Sequence, residues 1–116
     1  MINYKIDHLV VGSNNLDEGT QYIEKLLKVK LSKIGKHRNF GTHNRVLSLG
    51  GIYLEVIAID DQSDFKPINC WFSLDQDYVK QKILKKPTLI SFVISSKKNE
   101  DLRTHESAIF VERDHY

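Results

Sequence analysis

The chain has 116 residues, 41% hydrophobic and 28% charged, a balance that suits one globular domain and argues against wholesale disorder. Its formal net charge of +2, from 17 Lys and Arg against 15 Asp and Glu, is too small an excess to point to nucleic acid. No apolar run approaches the roughly 18 residues of a membrane span, and a single cysteine, Cys70, leaves no internal disulfide and no cysteine-built zinc cluster.

In chain order, MINYKIDHLVVG goes straight into a strand pattern without the long apolar core of a signal peptide. Alternation over residues 4–12 puts Ile6, His8 and Val10 on one face and Asp7, Leu9 and Val11 on the other. An amphipathic helix follows within 12–30. Asn14 or Asn15 can cap it, Asp17 and Glu18 suit its positive end, and Lys25, Lys28 and Lys30 suit its negative end. Leu16, Thr20, Ile23, Leu26 and Leu27 recur at three- and four-residue spacing, so one stripe should face a sheet. Gly19 weakens the helix locally but permits close packing.

LSKIGKH (31–37) reads as an edge strand protected by lysines. HNRVLSLGG and IYLEVIAID make two more strands, with Gly50-Gly51 as a hairpin turn. Residues 60–67 form a polar loop, and 72–87 hold a short helix stopped before Pro87. TLISFVISS (88–96) is an apolar strand, KKNEDLRTHES (97–107) resembles the start of another helix, and SAIFVERDHY is short and β-branched. The basic clusters at 28–38 and 80–86 suit solvated faces. Cys70, beside Trp71 and Phe72, reads as a buried thiol. These features together point to a cytoplasmic protein with no membrane or nucleic-acid partner.

The segments IDHLVVGSNNLDEGTQYIEKLL and GTHNRVLSLGGIYLEVIAID resemble the vicinal oxygen chelate superfamily. Within it they are similar to glyoxalase-like domains that carry a DHLV strand, a GTHNR loop and a YLE-hydrophobic-IA strand. WFSLD and the strand after Pro87 resemble that group too, so the likeness spans roughly residues 4–102. It implies an α+β fold of two βαβββ modules whose sheets form a cup around a ligand. Here 1–60 would be one complete module, 61–87 a linker with a short helix, and 88–116 the incomplete start of a second.

The resemblance also nominates residues. His8 in IDHLVV and Glu55 in YLEVIA match two metal-ligand positions, and Glu55 would be the catalytic carboxylate. Imidazole and carboxylate suit Zn²⁺, Ni²⁺, Fe²⁺ or Mn²⁺. Two ligands do not complete a catalytic site, and TLISFVISS, with Leu89, Ile90 and Ser91 in the relevant region, offers no histidine. A metal-free His8–Glu55 hydrogen bond is the alternative, since a buried carboxylate needs a partner. In GTHNR, His43 and Asn44 can donate to an oxygen-rich ligand at the mouth of the cup, or shape the loop together with Gly41 and Thr42. Arg45 can clamp a ligand carboxylate or stand exposed on its strand, and Tyr53 and Trp71 can line the cup or pack in the core.

The resulting expectation is a glyoxalase-like protein that binds a small oxygenated molecule, as a lyase, isomerase or dioxygenase relative. The alternatives are a non-catalytic binding module and a half-cup that pairs as a homodimer. No Ser-His-Asp pattern, phosphate loop or dinucleotide fingerprint is present.

Overall fold

The computed structural model describes residues 4–37, 41–62 and 71–96. Strand β1 (Tyr4–Gly12) leads into helix α1 (Leu16–Leu27), then β2 (Gly35–His37), β3 (Thr42–Ser48) and β4 (Tyr53–Ile59). A 3-10 turn at Trp71–Ser73, helix α2 (Asp77–Lys85) and strand β5 (Thr88–Ser96) follow. The five strands form one sheet in the order β2-β3-β4-β1-β5. β1 and β4 run parallel, as a crossover through α1 requires, and the other neighbours are antiparallel. This is the α+β, βαβββ arrangement read from the sequence, with an α-β continuation. The expectations for Cys70, for a helix over 97–107 and for residues 107–116 fall outside the described residues.

Helix α1 starts where Asn15 accepts a 2.8 Å bond from the Glu18 backbone N–H, with Asp17 and Glu18 in the first turn. It ends at Lys28, whose left-handed backbone (φ 57°) turns the chain. Leu16 and Ile23 pack on Val11, Leu54, Val56 and Ala58. Gly19 is required at the closest approach: a Cβ there would lie 2.6 Å from Val56 Cγ1 and 2.7 Å from Ser13 Cβ. The apolar stripe stops sooner than its spacing predicts. Leu26 and Leu27 are 61% and 44% exposed, and Leu31, in the segment after the turn, packs on the cluster instead.

The strand expected over 31–37 pairs only at Gly35–His37. Upstream, Ser32 N–H still donates to Val46 O at 2.9 Å, but the return bond from Val46 N–H goes to the Ser32 hydroxyl, so a side chain takes over half of the ladder there. The Gly50-Gly51 hairpin closes with Leu49 N–H donating to Ile52 O at 2.8 Å, and Gly50 at φ 103° supplies the backbone angle. On the sheet face opposite α1, Val10 and Ile57 pack with Leu74, Val79 and Ile83, so α2 and the preceding turn cover one end of that face.

Candidate functional site

Register and alternation decide which polar side chains meet. In the parallel β1–β4 pair His8 lies beside Tyr53 and Val10 beside Glu55. In the β3–β4 hairpin Asn44 lies opposite Ile57 and Val46 opposite Glu55. Directly opposed residues share a face, so His8, Tyr53, Glu55 and Asn44 all sit on the face away from α1. His8 Nε2 is 3.1 Å from Glu55 Oε1, and Asn44 Nδ2 donates to Glu55 Oε2 at 2.7 Å. The Tyr53 ring stacks on the imidazole at 4.3 Å between centroids and 11° between planes. His8 and Glu55 are 4% and 3% exposed. The carboxylate in the middle of an apolar strand is thus matched to an imidazole and an amide.

A fifth residue joins them by breaking the alternation. The β1–β5 register skips Asp7 between Ile6 and His8, so Asp7 is the extra residue of a β-bulge. The bulge brings its carboxylate to 2.6 Å from His8 Nδ1 instead of leaving it on the α1 face. Burial pulls the His8 pKa down, but hydrogen bonding to Glu55 and Asp7 and their charges outweigh it, and the pKa stands above its ordinary value.

The same atoms fit part of a metal sphere. A 3.1 Å gap between Nε2 and Oε1 is a separation that one ion with bonds of about 2.0–2.2 Å can bridge. Asp7 on Nδ1 reproduces the outer carboxylate that metal-bound histidines usually carry. Among the described residues, however, no group of three His, Cys, Asp or Glu side chains could hold an ion. His8 and Glu55 are two side chains of suitable type, one short of the three protein groups that a catalytic metal site normally has.

The other nominated residues lie elsewhere. His43 pairs with Ala58 and Arg45 with Val56, which puts both on the α1 side of the sheet. Arg45 Nη1 donates to Ser32 O at 2.9 Å. His43 Nδ1 is 3.9 Å from Asp60 Oδ1, and Lys36 Nζ is 3.7 Å from Asp60 Oδ2. Burial lowers the His43 pKa; Asp60 pulls the other way, and Lys36 adds to the lowering. Trp71 is half-buried against the α2 core cluster. The open depression along α1, lined by Gln21, Glu24, Lys25, Lys28, Val29 and Lys30, is on the wrong side of the sheet to serve His8 and Glu55. Asp7 carries no sequence signal beyond its adjacency to His8.

A family model described as glyoxalase-like domain matches residues 6–112. No curated protein matches. Among solved structures the chain is similar to a hypothetical protein, BH1468, from Bacillus halodurans C-125, at TM-score 0.58 and 16% identity, covering 88% of this chain and 65% of that one. It is also similar to methylmalonyl-CoA epimerase from Mycobacterium tuberculosis, at TM-score 0.57 and 13% identity, covering 85% of this chain and 62% of that one. The chain thus spans under two thirds of the length of either. At these identities the likeness is one of fold, that of the vicinal oxygen chelate proteins.

Proposed function

We propose, from the premise that this chain belongs to the glyoxalase-like domain family, that it binds a small oxygenated molecule on the sheet face carrying His8, Asn44, Tyr53 and Glu55. One observation carries the reading: two almost fully buried polar side chains from β1 and β4, His8 and Glu55, meet at 3.1 Å on one face. Buried polar groups in a small core are costly unless function or full pairing retains them. Glu55 is the group suited to move a proton, since its Oε1 already faces a proton-carrying ring. Asn44 and Tyr53 supply an amide and a phenol hydroxyl for orienting a ligand. A divalent ion, where bound, would be held by His8 and Glu55 and would polarise adjacent ligand oxygens.

The reading is tested by titrating the purified protein with Zn²⁺, Ni²⁺, Mn²⁺ and Fe²⁺ and measuring bound metal. About one equivalent per site, lost in His8→Ala and Glu55→Ala, supports a metal-assisted lyase, isomerase or dioxygenase relative. No uptake removes that chemistry.

A second reading, a metal-free binding module, is favoured by the fact that both ring nitrogens of His8 already have carboxylate partners. A rise in melting temperature with small dicarbonyl or hydroxy-acid ligands that survives both substitutions would select it. Pairing of two copies belongs to the same proposal. Among the described residues β5 lies at the edge of the sheet, and its Leu89 and Phe92 are 61% and 57% exposed. A strict monomer by light scattering would remove it.

A further inference from the structure

We infer that Asp7 is a positioning residue of this site, resting on the reading above: its carboxylate fixes the His8 ring so that Nε2 is presented to Glu55. In an unbroken strand, residues 7 and 8 point to opposite faces and cannot touch through their side chains. Here they meet at 2.6 Å because β1 carries an extra residue at Asp7 in its pairing with β5. A bulge gives up a regular ladder position in order to re-aim a side chain, and the side chain re-aimed in this one lands on Nδ1.

Three contacts then leave the imidazole no other orientation. Tyr53 fixes its plane by stacking at 4.3 Å, Asp7 holds Nδ1, and Glu55 receives Nε2 at 3.1 Å. Without Asp7 the ring could flip about χ2, which would put Cε1 in place of Nε2 toward Glu55, because terminal ring torsions are broad and two-fold. A carboxylate on the far nitrogen selects one tautomer and raises the basicity of the near one, whether the near nitrogen meets a proton, a ligand or an ion. The contact through which Asp7 acts on this site is the one to His8 Nδ1.

The experiment is long-range proton–nitrogen NMR of the histidine rings in the full chain. Wild type is compared with Asp7→Ala, Asp7→Asn and Asp17→Ala at one pH, with Zn²⁺ titrated into each. Asp17 is exposed and carries the same charge, so its loss controls for charge alone. In Asp7→Ala, the protonated Nδ1 signature of His8 and its ring-current contacts with Tyr53 should weaken. Asp17→Ala should leave both as in wild type. Asp7→Asn, which keeps a neutral acceptor, should restore the orientation with a shifted Nδ1 resonance. Where wild type takes up Zn²⁺, Asp7→Ala should bind it about 10- to 100-fold more weakly.

Wild-type ring signals or undiminished Zn²⁺ affinity in Asp7→Ala would overturn the inference. Should the alanine chain not fold, an unshifted Nδ1 in Asp7→Asn overturns it instead. Absence of Zn²⁺ uptake by wild type counts against the metal-assisted function alone, and the ring signals then decide the role of Asp7.

Discussion

Two histidine–carboxylate pairs sit on opposite faces of the same sheet and behave in opposite ways. His8 and Glu55 meet at 3.1 Å with a second carboxylate behind the ring, and the His8 pKa rises despite burial. His43 and Asp60 stop at 3.9 Å, beyond hydrogen-bond reach, with Lys36 also on the carboxylate, and the His43 pKa falls. Burial penalises the charged ring in both places. What differs is direct hydrogen bonding: two short contacts outweigh desolvation at His8, and one long contact does not at His43. A histidine near a carboxylate is therefore not a defined chemical unit until the distance is known.

The sharpest way to break the comparison is to remove the ring from the tighter pair. His8→Ala removes the ring 3.1 Å from a carboxylate that is 3% exposed, which should cost about 3–5 kcal/mol in urea unfolding. Combining it with Glu55→Leu should recover part of that loss, since the buried Glu55 carboxylate is then gone as well. A double variant no more stable than His8→Ala would show that Glu55 is carried by its other partners.

Asn44 and His43 are sequence neighbours, one from each side of the sheet, and make the next test. Asn44→Ala removes a 2.7 Å bond to a buried charged acceptor and should cost about 1.5–3 kcal/mol. His43→Ala removes a partly exposed ring with no short contact to its carboxylate and should cost under about 1 kcal/mol. Equal losses in the two variants would contradict the assignment of these residues to different faces.

Much of this was legible in the sequence and some was not. The strand patterns of IDHLVV and YLEVIA set His8 against Leu9 and Val11 and Glu55 against Leu54 and Val56, so the two share a face once those apolar residues pack on the helix, as Val11, Leu54 and Val56 do. GTHNR could not be resolved the same way. Which of His43, Asn44 and Arg45 faces Glu55 depends on the β3–β4 register, and that is set by where the Gly50-Gly51 hairpin closes. Asp7 was hidden for a different reason. A bulge is decided by the pairing of β1 with β5, more than eighty residues away. Leu26 and Leu27 fit the helical period, and nothing in that period reveals that the chain turns at Lys28 and brings Leu31 to the core.

The smallest expected effect is the pH dependence, where the two histidines should pull in opposite directions. For His8 the folded pKa lies above 6.5, so the folded state holds more protons than the unfolded chain just above that value. Its contribution is fully present below pH 6.5 and is lost as pH rises through the folded pKa. For His43 the folded pKa lies below 6.5, so the unfolded chain takes up the proton first, and stability falls as pH drops below 6.5. Unfolding followed from pH 5 to 8 should therefore separate the variants. His43→Ala should flatten the acid side of the wild-type profile, and His8→Ala the side above pH 6.5. If both substitutions altered the same limb, the contrast between a hydrogen-bonded and a merely neighbouring carboxylate would not explain these two rings.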